Sequence, residues 1–400
     1  MAIKGNLVVG QSGGPTTVIN SSLLGVVRQA MAQPEIEGIY GMLHGIRGLL
    51  HGEFIDLRKE SDETLDLLLQ TPASALGTVR YKVKPSDYDS IVAVFERYNV
   101  RFFFYIGGND SMDTVYQVSE AAKARGYDLH AVGVPKTIDN DLAMTDHCPG
   151  YGSAARFVAA AIRNTGFDTK AMGDSGPLKL MEVMGRNAGW LTAATALARE
   201  QEGDPPHLIY VPECPVSEQQ IADDVQAMYD RYGFCVVAVS EGALREDGTP
   251  YAASTGVRDA FGHEVKAGVV ETIAQIIEER TGMRARFDKP AYMQRAFAEL
   301  QSPVDRDEAY RAGADAVRAA VAGHTGVMIT LVREPGPEYH CRTEIGSLAH
   351  IANAERMLPR EFMNEAGNDV TQAFLDYARP LIGGPLLRYA RLAKHPVPKR

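Results

Sequence analysis

Tryptophan occurs once in the 400 residues, cysteine four times, and basic residues are outnumbered by acidic ones. None of the apolar runs reaches the ~20 residues that a membrane-spanning helix requires. The cysteines, Cys148, Cys214, Cys235 and Cys341, are scattered, with no CxxC pair. That spacing offers no metal-binding pattern, and the expected reading is buried free thiols in a cytosolic protein. The formal net charge is −10 and no basic stretch stands out against it, which argues against nucleic acid as a partner. Residues Met1-Ala-Ile-Lys-Gly-Asn6 run directly into an apolar segment without the h-region of a signal peptide, so a cytoplasmic protein is expected, with no membrane partner.

What is present is alternation. Short apolar runs (Leu7–Val9, Phe102–Ile106, His130–Val134, Leu178–Met184, His207–Val211, Cys235–Ser240, Val327–Val332) are separated by amphipathic stretches. Helices are expected over Asp113–Arg125, Ala154–Asn164, Ala188–Arg199, Ser217–Tyr232 and Val265–Thr281. Strands that are apolar throughout, alternating with helices, predict an α/β fold whose mainly parallel sheets are covered on both faces. From Glu344 onward, Pro359, Pro380, Gly383-Gly384 and Pro385 break the pattern into short helices, an elaboration packed on the body.

Most of the predicted strands end in a polar, glycine-rich loop, and in open parallel sheets ligands bind beyond the carboxyl ends of the strands. Gly10-Gln-Ser-Gly-Gly-Pro15 precedes a helical run, a setting suited to phosphate and equally to an ordinary tight turn. In Gly107-Gly-Asn-Asp-Ser111, Asn109 and Asp110 are candidate oxygen ligands for Mg2+ or its waters, and Asp110 or Ser111 is also a candidate helix cap. Pro135-Lys-Thr-Ile-Asp-Asn-Asp141 is the most demanding segment. Three acids or amides after a buried strand are costly unless they meet water, metal or substrate. Asp139 is placed to accept a hydroxyl proton, and Asp141 to help hold a cation. Gly185-Arg186 closes another strand, where an arginine suits developing phosphoryl charge. Arg284, Arg286, Lys289, Tyr292 and Arg295 are interleaved with Phe287, Pro290 and Ala291, a pattern that favours an anion site over a solvated helix face.

Gly13-Gly14, Thr78-Val-Arg80, GGND, PKTIDND, Met184-Gly-Arg186, Ser240-Glu-Gly242 and Tyr292-Met-Gln-Arg295 appear in this order over roughly residues 5 to 335. In this the chain resembles the phosphofructokinases, and within them the pyrophosphate-dependent bacterial enzymes. Its stretch Ile351–Leu381 is also similar to theirs. The resemblance implies two Rossmann-like three-layer α/β/α domains with a C-terminal helical elaboration. Residues 1–150 plus about 265–300 would bind diphosphate, residues 151–264 plus about 301–340 fructose 6-phosphate, and 341–400 would pack outside. By position, Asp139 is similar to the family's proton acceptor for the 1-hydroxyl of fructose 6-phosphate. Thr137, Met184, Gly185, Arg186, Glu241, Tyr292 and Arg295 match sugar-phosphate contacts, and Arg286 a second clamp that can cross a subunit interface. Gly14, Gly108 and Arg80 fall on the donor side, Asn109 and Asp141 at the Mg2+ site.

ATP-using members carry glycine where this chain has Asp110 and Lys136. A carboxylate at that point excludes ATP by bulk and like charge, and a lysine suits a compact, highly charged diphosphate. Asp139, Lys136, Arg186 and Asp110 are therefore the expected catalytic set. The implied activity is reversible, Mg2+-dependent phosphoryl transfer from diphosphate to fructose 6-phosphate by a homodimer or homotetramer. Leu24, in place of an effector-binding arginine, implies no nucleotide allostery. The rival readings are an ATP-dependent phosphofructokinase and a catalytically weak sugar-phosphate sensor.

Overall fold

Two mainly parallel sheets carry the chain, and each grows from the fully apolar runs of the sequence. The computed structural model describes residues 3–79, 81–258, 264–352 and 354–398. Among these, strands β1 (Gly5–Gln11), β2 (Ile36–Met42), β3 (Phe54–Asp56), β4 (Val100–Gly107) and β5 (His130–Pro135) come first, followed by β6 (Leu178–Val183), β7 (Leu208–Tyr210) and β8 (Cys235–Ser240). Then follow β9 (Ala253–Arg258), β10 (Glu264–Ala267), β11 (Ala285–Asp288), β12 (Val327–Arg333) and β13 (Cys341–Ser347). The first sheet has the order β13-β12-β5-β4-β1-β2-β3, parallel except for the antiparallel edges β2–β3 and β12–β13. The second, β11-β6-β8-β7, is wholly parallel, and β9–β10 form an antiparallel ribbon. In β4, Phe102, Phe103, Phe104 and Ile106 are all fully buried, as a strand with helices on both faces demands.

The predicted helices form, with two adjustments. Ala188–Arg199 is a short α-helix, Trp190–Ala193, that tightens into a 3-10 segment, Ala194–Ala198. Val265–Thr281 divides at Gly268 (φ 87°), giving β10 and then helix Val269–Thr281. Three of the four cysteines are buried free thiols, and Cys214 is half-buried.

The sorting of segments between the sheets differs from the expectation. Helix Val269–Thr281 packs into the core of the second sheet and β11 pairs with β6, so 265–300 belongs with the second sheet. Helix Pro303–Val321 and β12 belong instead with the first sheet, where β12 pairs with β5. The segment after 340 is also not wholly helical: β13 pairs with β12 along seven residues before the short helices begin. Strand pairing is a long-range choice that local periodicity does not encode.

The chain leaves the first sheet near Gly150 and returns near Ser302, and one buried carboxylate pins the two crossings together. Asp305 accepts hydrogen bonds from the Gly150 and Ser153 amides (both 2.8 Å) and from the Ser153 hydroxyl (2.6 Å). A third crossing follows helix Leu348–Ile351, where the chain passes to the core around Trp190 and buries Leu358, Phe374 and Leu381 there.

Helix Ile19–Met31 lies against helix Pro303–Val321 with almost no space between backbones. A β-carbon on Gly25 would sit 2.0 Å from the Tyr310 carbonyl oxygen, and one on Gly313 2.0 Å from that of Ser22. Neither obstacle is a movable side chain. Gly25→Val should therefore destabilise the protein by at least the ~1–3 kcal/mol of an overpacked core. Thermal unfolding checks this, and a midpoint unchanged from the native chain would show that the helices can part without cost.

Candidate active site

Three loops at the carboxyl edge of the first sheet meet three from the second. β1, β4 and β5 are neighbours, so Gly10–Pro15, Gly107–Ser111 and Pro135–Asp141 emerge side by side. β6 and β8 are neighbours too, and deliver Met184–Arg186 and Ser240–Gly242, while β11 leads into Ala291–Arg295. Asp139, Lys136, Arg186, Arg295 and Glu241 are close enough to set one another's charge. Such convergence beyond strand ends is the general position for a ligand in this kind of sheet.

Lys136 is 3% exposed, and its Nζ donates to the Gly14 carbonyl at 2.7 Å. Burial and the nearby Arg295 guanidinium lower its pKa to about 8, against the pull of Asp139 and Asp141. The ammonium thus fills the space over Gly13-Gly14, where a β-carbon on Gly13 would lie 3.4 Å from it. The Arg295 guanidinium packs directly on Gly14, where a β-carbon would fall 2.2 Å from its Nη1 and displace it. Two candidate anion-binding elements far apart in sequence are in this way brought against each other.

The TIDND turn carries two interacting carboxylates. Burial pushes Asp139 up from the usual carboxylate range and Glu241 pushes it further, while Arg186, Lys136 and Arg295 pull it back. Asp141 is raised by burial and by Asp139. The turn is closed by Thr137, whose Oγ1 accepts from the Asp139 amide at 3.1 Å, and Asn140 adopts φ 58°. Asn109 donates through Nδ2 to Asp141 Oδ2 at 3.1 Å, and its Oδ1 is buried without a hydrogen-bond partner. An orphaned carbonyl oxygen beside two carboxyls held above their usual range is an oxygen-rich setting that fits a divalent cation.

From the second sheet, the Gly185 amide donates to Glu241 Oε1 at 3.3 Å and the Ser240 hydroxyl to the Gly185 carbonyl at 2.7 Å. Those bonds lock the loop that presents Arg186, an exposed residue that lowers Asp139. Arg295 lies over the Tyr292 ring at 4.3 Å, and Tyr292 is 61% exposed. Asp110 is exposed in the first turn of helix Asn109–Ala124, and Gly108 rather than Asp110 or Ser111 occupies the cap position. Arg286 is exposed on edge strand β11, and its hydrogen bond goes to the Ser175 carbonyl at 3.4 Å. Arg80 lies outside the described residues.

Some residues of the site carried no sequence signal. Gln294, buried at 3%, accepts the Met184 amide at 3.0 Å and so fixes the end of β6. Its place inside Tyr292–Arg295 was visible, its role was not. Arg356 and Tyr377, remote in sequence, hold the TIDND turn from behind.

A glycine-rich, carboxylate-bearing cleft at the ends of two parallel sheets defines an α/β protein built for a phosphorylated ligand. Residues 6–320 match the phosphofructokinase family model, and the chain belongs to that family. It is 40% identical to the pyrophosphate–fructose 6-phosphate 1-phosphotransferase of Halomonas elongata, across 99% of this chain and 98% of that protein. It superposes on pyrophosphate-dependent phosphofructokinases from Marinobacter aquaeolei (TM-score 0.87, 37% identity, 100% and 98% of the two chains) and Nitrosospira multiformis (0.88, 36%, 99% and 98%). Among the described residues no helix is long and apolar enough to cross a membrane.

The position of Lys136 can be tested directly. NMR of the labelled lysine should show Lys136 titrating near 8, well below solvated lysines, and Asp139→Asn should lower it further by removing an attractive negative charge. A titration near the ordinary lysine value would contradict the packing of Lys136 against Gly14.

Proposed function

We propose that this protein transfers a phosphoryl group reversibly from diphosphate to the 1-hydroxyl of fructose 6-phosphate, giving fructose 1,6-bisphosphate and phosphate. The observation that carries this reading is Asp139, a carboxylate with a raised pKa facing cations from three separate loops. Asp139 takes the proton from the 1-hydroxyl, and the oxygen so freed forms the new P–O bond while the bridging P–O bond of diphosphate breaks. A carboxylate raised toward neutrality is a stronger base than an ordinary one and is still ionised in part at the working pH. Lys136 and Arg186 offset charge on the phosphoryl group in flight, the kind of contact worth ~3 kcal/mol of barrier. On the donor side, Gly14, Gly108 and Arg80 approach the diphosphate. Thr137, Met184, Gly185, Glu241, Tyr292 and Arg295 hold the sugar phosphate, with Arg286 as a clamp available to a neighbouring subunit in a homodimer or homotetramer.

Mg2+ is the cation that oxygen donors of this type suit, with Asn109 and Asp141 to hold it and charge neutralisation on the diphosphate as its contribution. Asn109 supplies a neutral ligand, which leaves Asp141 as the anionic one.

Donor choice rests on Asp110 and Lys136. The buried ammonium over Gly13-Gly14 suits a short donor with its charge concentrated there, and Asp110 at the helix start repels a longer nucleotide. A coupled assay comparing diphosphate with ATP tests the reading: turnover with ATP and none with diphosphate would overturn it. Asp139→Asn should lower kcat by roughly 10²–10⁴-fold, the span of general-base catalysis, with the sugar phosphate still bound. Asp110→Gly combined with Lys136→Gly should raise ATP use and depress diphosphate use. ATP binding that stays undetectable in the double variant would remove donor choice from these two positions.

A further inference from the structure

The segment around residue 356 runs behind both halves of the cleft. It forms an antiparallel bridge, Glu355 with Leu142, just past the TIDND turn, and the Arg356 amide donates to the Asp141 carbonyl at 2.8 Å. The Arg356 guanidinium then satisfies the carbonyls of the same loop. Nη2 and Nε donate to Asn140 O at 2.9 and 3.3 Å, and Nη1 donates to Thr145 O at 2.9 Å and to Asp146 O. Tyr377 completes the support: its hydroxyl accepts from Asn140 Nδ2 at 2.8 Å and donates to the Asp146 carbonyl at 2.8 Å.

The same residues hold the loop of the second sheet. Arg356 stacks on Trp190 at 4.3 Å, and Trp190 Nε1 donates to the Arg356 carbonyl at 3.0 Å. Trp190 opens the helix that follows Met184–Arg186. Asn187, beside Arg186, donates to Glu355 Oε1 at 2.9 Å. Glu213 joins the amides of Gly189 (2.9 Å) and Leu358 (2.8 Å). One short strap is thus bonded to the loop that carries Asp139 and to the loop that carries Arg186.

We propose that Arg356 is a positioning residue, which sets the separation of Asp139 from the Arg186 loop by gripping the Asn140 peptide and Trp190 at once. Asn140 lies between the two carboxylates with φ 58°, the left-handed region that asparagine adopts more readily than most residues, and its carbonyl and side chain are held by Arg356 and Tyr377. The Asn140 carbonyl belongs to the peptide that joins Asn140 to Asp141, so Arg356 holds the backbone directly between the two carboxylates. Only a guanidinium offers enough donors in a fixed fork for three carbonyls and a flat face for an indole. The inference rests on Asp139 acting as the base, as proposed above, and adds what holds that base in place.

The test uses the full-length enzyme and whichever donor the native chain turns over, so that a failure of the diphosphate reading is seen in the native enzyme before any variant is made. Arg356→Ala should lower kcat on the order of 10²-fold, the usual cost of a misplaced reacting group. KM for the sugar phosphate should stay within about threefold, because ground-state contacts remain. Added guanidinium ion, far below unfolding concentrations, should restore part of kcat to Arg356→Ala and none to Arg356→Lys. Tyr377→Phe, a milder change, should lower kcat in the same direction with KM kept. Native kcat in Arg356→Ala would overturn the proposal. If that variant fails to fold, native kcat in Tyr377→Phe would overturn it, as would a loss of rate in Arg356→Ala that guanidinium leaves unchanged.

Discussion

Two carboxylates on one turn, taken largely out of water, are the constraint around which this molecule is arranged. Burial raises the proton affinity of both, Glu241 adds to that of Asp139 and Asp139 to that of Asp141, and isolated from cations such a pair would protonate or pull the turn into solvent. The chain prevents both by bringing Lys136 from the same loop, Arg186 from the end of β6 and Arg295 from beyond β11. Neither arginine could reach the turn if the two sheets did not face each other with their carboxyl edges together. The charge balance at the site and the placement of the sheets are therefore one requirement.

That requirement explains a division of labour in the sequence. The residues proposed to meet phosphate or protons stand at the first polar positions after a buried strand, as in Gly107–Asp110, Lys136–Asp141, Gly185-Arg186 and Glu241. Residues that hold those loops in place lie elsewhere and act through amides, carbonyls and ring faces. Gln294 grips Met184, Glu213 ties Gly189 to Leu358, and Arg356 spans the cleft from behind.

The first group was legible in the sequence, because a glycine-rich or acidic run directly after an apolar strand is costly to bury unless it meets a ligand or solvent. The strands themselves were legible from their composition: Phe102–Ile106 and Cys235–Ser240 are too apolar for any place but the middle of a covered sheet. The partner of each strand was not. Ala285–Asp288 and Val327–Arg333 are both short segments ending in a charged residue, yet one extends the second sheet beside β6 and the other the first sheet beside β5. Arg356 and Tyr377 were illegible as well, since an arginine that binds carbonyls leaves the same trace in sequence as one that binds water. Arg286, prominent in the basic segment 284–295, is directed at the Ser175 carbonyl on the outer edge of the second sheet.

The three passages between the sheets carry a mechanical consequence. The two at Gly150 and Ser302 are welded together by Asp305, so they act as a single point of attachment. The third, through the strap at Arg356, is a second point. A rigid body fixed at two points keeps one rotational degree of freedom, about the line that joins them. Rotation about that axis leaves both ties intact, and the turn of Thr137–Asp141, bonded to one of the two pivots, would travel least of all.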